Sequence, residues 1–152
     1  ILIGADLFNA FLAITQMPTQ AAAAIGGSGL SPMMVLMLIL LFYLVLGCVM
    51  DSMSMILITI PVLFPIVMKL DFGMTPEHTA IWFGILVLIC VEVGLITPPF
   101  GLNVFVINSL APEVPMSESF RGVMPFLLSD FIRVLILIAF PIITLGVLRL
   151  LG

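Results

Sequence analysis

The sequence predicts an all-α integral membrane protein, and three observations carry that prediction. Only 8% of its 152 residues are charged and 63% are hydrophobic. Soluble domains carry roughly 25% charged residues, so this chain has too little polar surface to coat a water-soluble globule. The apolar residues fall into four long blocks separated by short punctuated loops, which suits several membrane spans. Two blocks are interrupted deep inside, at "GCVMDSMS" and "GLITPPFG", which predicts a re-entrant helical hairpin and a discontinuous helix among the transmembrane helices.

Composition also narrows the partners. The net charge of −4 reflects a scarcity of bases, namely Lys69, Arg121, Arg133 and Arg149. No nucleic acid is expected as a partner, and the lipid bilayer is. Those four cations are spread too evenly over the loops for the positive-inside rule to orient the chain. The opening "ILIGADLF" does not read as a signal peptide but as the interior of a larger protein, so a fragment is expected. Cys48 and Cys90 stand alone in apolar runs and read as packed thiols, without disulfide or metal spacing. The eleven methionines, with Met50, Met53 and Met55 around one interruption, read as adaptable packing.

Residues 1–31 are expected to form a transmembrane or arm helix and its loop, interrupted by "TQMPTQ" and stopped by Gly26, Gly27 and Gly29. Asp6, Asn9, Gln16 and Gln20 make it relatively polar, so it suits a protein-facing or interfacial position. Ser31 then reads as an N-cap with Pro32 in the first turn.

Residues 32–70 hold the hairpin, with its tip near 47–54. Each arm has room for about 16 to 18 residues, or about 24–27 Å at 1.5 Å per residue, against a hydrocarbon core of about 30 Å. Two tight full spans and a re-entrant hairpin both fit that length. The turn is small and sulfur-rich and carries one acid, which favours the re-entrant reading. Gly47 is expected to supply the turn. Asp51 would cost about 2.5–3.5 kcal/mol at the bilayer centre, so it either caps the helix starting near Ser52 or helps to hold a cation. The two roles are compatible.

Residues 71–111 hold the discontinuous helix. Thr75 reads as its N-cap, Pro76 as its first residue, and Glu77 favours the positive helix start. A continuous helix from Pro76 to Leu110 would be about 52 Å long, more than a straight span needs. The break at 97–101 relieves this, roughly 15 Å from the polar loop at Ala111. Pro98 and Pro99 lack N–H groups and free carbonyls from around Val93 to Leu95. In hydrocarbon such groups survive only inside protein or beside a water-filled cavity. A single proline usually means a kink; this cluster adds the Thr97 hydroxyl and the close approach that Gly94 and Gly101 permit. Freed carbonyls at a half-helix C-terminus suit a hard cation, and the next N-terminus offers N–H groups to an anion.

Other polar residues have plainer readings. Glu92 either carries charge or hydrogen-bonds within the bundle. Asn103 lies near enough to the break to be a ligand, while Asn108 reads as interhelical glue. His78 begins a helix and is expected in solvent. Residues 112–152 are expected to form a loop, "APEVPMSES", and a C-terminal transmembrane helix from Phe120, carrying Pro125 and Pro141. Asp130 and Arg133, three apart, can pair on one face.

"LGCVMDSMSMILITIPVLFPIV", followed by "EVGLITPPFGLNVFVI" and "RGVMPFLL", resembles the C-terminal part of the large membrane subunit of TRAP transporters. This is the tripartite ATP-independent periplasmic family, and the subunit is of the DctM or SiaM type. The likeness covers nearly the whole chain, and "GLITPPFGLN" is its most specific part. It implies one half of an inverted-repeat, elevator-type secondary transporter, in which a hairpin and a broken helix enclose sodium and substrate sites. Carried over by position, the sodium ligands are mostly backbone oxygens at Gly47, Asp51, Ser52, Ile96, Thr97 and Gly101, with the Thr97 hydroxyl; Pro98, Pro99 and Asn103 face the substrate.

The resemblance further implies sodium as coupling ion, with no cofactor and no enzymatic chemistry. It implies a small membrane subunit of the DctQ or SiaQ type and a periplasmic substrate-binding protein as partners. The cargo would be an organic anion such as a C4-dicarboxylate or sialic acid, and the location a bacterial or archaeal cytoplasmic membrane. The first hairpin and its "PPS"-type break, expected in the other half, are not among these residues. A sodium–dicarboxylate or citrate carrier is a competing reading, weakened by the lack of an "SNT"-like signature. An intramembrane aspartyl protease would need two carboxylates sharing a proton, and only Glu92 could join Asp51. A structural or assembly module would predict that changes at Asp51 and Thr97 alter assembly without touching ion dependence.

Overall fold

The computed structural model describes residues 2–27 and 29–151, and the side chains of all of these except Leu2, Gly26 and 147–151. Ile1, Ser28, Gly152 and the Arg149 side chain, all within the stretches read above, lie outside the described residues. The described residues form eight α-helices and no strand: α1 Leu2–Thr15, α2 Met17–Gly26, α3 Pro32–Gly47, α4 Ser52–Val67, α5 Pro76–Ile96, α6 Leu102–Leu110, α7 Met116–Ala139 and α8 Pro141–Leu151.

The helix starts follow from local chemistry. The side chains of Ser31, Asp51 and Thr75 accept hydrogen bonds from the N–H groups of Met34, Ser54 and His78, so three helices begin on a polar cap. Pro32 and Pro76 occupy first-turn positions where a missing N–H costs nothing. Gln16 separates α1 from α2 in a left-handed conformation (φ 52°), and Pro18 opens α2.

Two helices, α5 and α7, are long and apolar enough to cross a membrane, which fits a multi-pass membrane protein. They play different parts. In α5, 56% of the most apolar window is buried within the chain, against 11% in α7. So α5 is the central helix, packed against α3 on one side and α7 on the other, while α1 and α2 lie on α4. The core between α3, α4 and α5 is built on Leu36, Tyr43, Met55, Trp82, Phe83 and Leu86, all fully buried. Inside it the Tyr43 hydroxyl lies 2.8 Å from Thr59 Oγ1, which donates to the Met55 carbonyl at 2.7 Å, so both buried hydroxyls are satisfied.

Two features differ from the sequence reading. The last block, expected as one helix from Phe120, begins at Met116 and divides at Phe140. Residues 116–119 close the first turn through the Glu118 N–H to the Pro115 carbonyl at 2.9 Å. Pro141, lacking an N–H, cannot pair with the Leu137 carbonyl, and the Trp82 indole donates to that carbonyl instead at 2.8 Å. Gly47, expected to supply the hairpin turn, lies in the last turn of α3. The described glycines with positive φ are Gly29, Gly73 and Gly101, so the value of glycine at 47 is its lack of a side chain.

Candidate functional site

The α3–α4 turn is four residues, Cys48 to Asp51. It is closed by the N–H groups of Val49 and Met50, both on the Leu46 carbonyl at 2.9 Å. Asp51 then starts α4: its Oδ2 accepts from the Ser54 N–H at 2.9 Å while the rest of the side chain stays exposed. Ser52 is half-buried behind it.

The end of α5 rearranges its hydrogen bonds as two consecutive prolines require. The Thr97 N–H turns to the Gly94 carbonyl at 3.1 Å, a shortened i−3 bond. The Val93 carbonyl, thereby released, is taken by the Thr97 hydroxyl at 2.6 Å. The carbonyls of Leu95 and Ile96 receive no hydrogen bond from the described residues: Pro98 and Pro99 have no N–H to give Leu95, and the Phe100 N–H, the helical donor for Ile96, lies beyond the end of α5 and makes no such bond. The Pro98–Pro99 peptide is cis. Gly101 (φ 48°, ψ 71°) takes the left-handed conformation that turns the chain into α6, and it offers no side chain to the first N–H groups of that helix. A Cβ there would lie 3.3 Å from both the Ile96 carbonyl carbon and the Thr97 carbonyl oxygen, so the two sides of the break pass in close contact.

These two irregular stretches are neighbours. A methyl group on Gly94 would lie 2.7 Å from the Gly47 Cα and 2.9 Å from the Leu44 carbonyl oxygen. One on Gly47 would lie 2.9 Å from the Gly94 Cα. Helices α3 and α5 therefore touch backbone to backbone, one residue before the turn and three before the break. Beside the contact the Cys48 thiol lies 3.3 Å from the Leu44 carbonyl and 4.0 Å from that of Pro98. An open cleft of about 280 Å³ follows, walled by Cys48 and Val49 from the turn and by Thr97, Pro98, Pro99 and Phe100 from the break.

The structure thus brings Gly47 to Gly94, and its neighbour Cys48 to Thr97 and Pro98, and packs Gly101 against the backbone of Ile96 and Thr97. Asp51 closes the turn and Ser52 opens α4, with no hydrogen bond to the break among the described residues. Asn103 is exposed on the first turn of α6. Glu92, counted as a deep acid from sequence, is exposed on the outer face of α5, because the buried positions around it, Val91, Val93, Gly94 and Leu95, take the inner one. His78, expected in solvent, is half-buried. Asn108 does join helices, accepting from the Ser119 hydroxyl at 2.8 Å, and Arg133 pairs with Asp130 at 2.9 Å. No cluster of three or more histidine, cysteine or acidic side chains that could hold a metal ion occurs among the described residues. Sequence reasoning named Gly94 as a place of close approach; what it missed is Gly47 as the partner in that contact and the thiol between two carbonyls. Both join segments about fifty residues apart, and no local pattern announces them.

Residues 1–143 match the family model described as the tripartite ATP-independent periplasmic transporter, DctM component. The chain is 35% identical over 152 residues to the C4-dicarboxylate TRAP transporter large permease protein DctM of Pseudomonas aeruginosa, covering 100% of this chain and 34% of the relative. It is 29% identical over 143 residues to the sialic acid TRAP transporter large permease protein SiaM of Vibrio cholerae, covering 94% and 32%. It is 34% identical over 107 residues to the isethionate TRAP transporter permease protein DctMQ of Oleidesulfovibrio alaskensis, covering 70% and 16%. The chain spans about a third or less of the length of these relatives. No solved structure matches it. A match over nearly the full chain, on the segments that form the turn and the break, shows that this protein belongs to the DctM-component family of TRAP transporters, a family of transporters and not of enzymes.

Proposed function

We propose that the chain forms one ion- and cargo-binding half of a sodium-coupled secondary transporter in a bacterial or archaeal cytoplasmic membrane. The observation that carries the reading is the meeting of the α3–α4 turn with the non-helical stretch 97–101. In this reading α3 and α4 are a re-entrant hairpin, and α5 and α6 are the two halves of one discontinuous helix. At 16 residues each, α3 and α4 are about 24 Å long, short of a hydrocarbon core of about 30 Å.

The cation sits at the C-terminal end of α5. The donor set fits a hard ion: the carbonyls of Leu95 and Ile96 have no N–H partner, and the Thr97 hydroxyl keeps lone pairs free after donating to Val93. Carbonyls near Gly47 complete the set from the turn, and Gly101 lets the chain fold tightly around it. Asp51, which accepts from the Ser54 N–H, holds the turn in shape and brings a negative charge to the ion, and Ser52 offers a further oxygen. The anion binds on the other side of the break. There the uncapped N-terminus of α6 supplies N–H groups and a positive dipole end, Asn103 supplies an amide, and Pro98 and Pro99 form an exposed apolar edge.

The cargo is a small organic anion. Relatives are named for C4-dicarboxylates, sialic acid and isethionate, which differ in shape and share a negative charge. Membership of a tripartite periplasmic transporter family supports two further components as partners, a small membrane subunit and a periplasmic binding protein. Energy comes from the sodium gradient, and elevator-type movement of the site carries ion and anion across together.

The test is uptake into proteoliposomes by the full-length subunit containing this segment, with its small membrane partner and a loaded binding protein, with and without an inward sodium gradient. Sodium-driven uptake that loses apparent sodium affinity in Thr97→Ala supports the site. Uptake indifferent to sodium, or a Thr97→Ala variant with wild-type affinity, would return the break to a structural kink.

A further inference from the structure

From the contact between α3 and α5 we infer that Gly94 and Gly47 are positioning residues. Their backbone-to-backbone contact sets the distance between the hairpin turn and the break, and through it the fit of a sodium ion held by both. The inference rests on the transport reading above; it adds Gly94 to the residues named there and gives Gly47 a spacing role besides its place near the ion.

Three observations support it. The contact is closer than any side chain allows: a Cβ on Gly94 would lie 2.7 Å from the Gly47 Cα and 2.9 Å from the Leu44 carbonyl oxygen. Those neighbours are main-chain atoms in helices, so no side chain can swing aside to make room. Carbon atoms pack at about 3.5–4.0 Å, so a methyl group would push the helices apart by about 1 Å. The contact is also reciprocal. A Cβ on Gly47 would likewise lie 3.1 Å from the Val91 carbonyl oxygen, so each glycine faces a carbonyl of the other helix, as where small residues let helices approach closely. Finally, it stands next to the ligands. The Gly94 carbonyl takes the Thr97 N–H at 3.1 Å, and Cys48, the residue after Gly47, reaches the Pro98 carbonyl with its thiol at 4.0 Å. A shift at either glycine is passed to both irregular stretches within four residues.

The size of the shift decides the consequence. A binding constellation must be held to about 0.5 Å, and a displacement of about 1 Å exceeds that. A misplacement of that size can cost about a hundredfold where geometry controls function. Gly84 provides the contrast, since it lies on the same helix with nothing within 4 Å of where its Cβ would stand. The same substitution there changes helix propensity without moving a neighbour.

The experiment compares wild type, Gly94→Ala and Gly84→Ala in the full-length subunit. Each is reconstituted with its small membrane partner and a loaded binding protein, and sodium is titrated against initial uptake. Gly94→Ala should raise the sodium concentration for half-maximal uptake by at least about tenfold, while Gly84→Ala should match wild type. A folded Gly94→Ala with wild-type sodium affinity overturns the inference and leaves the transport reading standing. Wild-type uptake that ignores sodium removes the reading and the inference with it. If Gly94→Ala does not fold, hydrogen exchange on the wild-type complex decides. Sodium should protect peptides covering 44–50 and 91–97 with one shared midpoint; separate midpoints, or protection of one peptide alone, overturn the inference.

Discussion

Pro141 leaves the Leu137 carbonyl without its helical donor, and Trp82 supplies one from another helix, fully buried and stacked edge-on against Phe72 at 5.5 Å. Trp82→Phe keeps most of the packing and strands that carbonyl, which should destabilise the protein by about 1–3 kcal/mol. Adding Pro141→Ala restores an N–H for Leu137, so the double variant should recover part of the loss. Thermal melting of wild type and the two variants in detergent checks this, and equal melting temperatures for Trp82→Phe with and without the second change would refute it. Asp51 offers a second test at this scale. Asp51→Ala loses the cap on Ser54 and should cost about 1 kcal/mol, whereas Asp51→Asn keeps a capping oxygen and should stay within a few tenths. If the charge also serves the ion, Asp51→Asn weakens apparent sodium affinity at unchanged stability, a combination that a pure cap does not produce.

Among the helices, the division between α5 and α6 is the one on which the proposed ion site rests. Proline is about 3 kcal/mol less favourable than alanine in a helix interior, so two of them in succession hold the break open against an otherwise helical sequence. Replacing both Pro98 and Pro99 with alanine should let α5 grow toward α6. Circular dichroism should then show no loss of helix, melting should not fall, and sodium-driven uptake should disappear. Retained uptake in a stable double variant would mean that the non-helical stretch supplies no ligand. The α4 helix tolerates Pro61 and Pro65 without breaking, because single prolines a turn apart each release one carbonyl and leave the rest of the ladder intact. Adjacency at 98–99, followed by the left-handed Gly101, is what ends α5.

For the molecule as a whole, the apolar surface is the governing fact. Leu110, Phe126, Leu128 and Ile107 are exposed at 82%, 68%, 64% and 64%, and most of α7 shows the same pattern. Such surface needs lipid or protein against it. The 152-residue chain expressed by itself should therefore sediment with membranes and resist alkaline carbonate extraction. Recovery in the soluble fraction as a monodisperse species would contradict the membrane assignment. The Asp130–Arg133 pair on α7 does not oppose this, since its charges satisfy each other at 2.9 Å on one helix face.

Much of this protein was legible before any coordinates. The all-α membrane class followed from hydropathy. The caps at Ser31, Asp51 and Thr75 followed from side chains that bond the N–H three residues on, and the end of α5 from prolines that cannot donate. All of these are interactions between residues within a turn of one another, which is why a linear reading reaches them. The division at Phe140 was within the same reach, through Pro141, and was overlooked because the apolar run continues across it. The hydroxyl pair Tyr43–Thr59, the Trp82–Leu137 bond, the outward face of Glu92 and the Gly47–Gly94 contact were not legible. Each depends on which helix faces are buried against each other and at what distance. A glycine in a helix reads the same whether it is open to space, as Gly84 is, or pressed against another backbone, as Gly94 is; only packing separates the two.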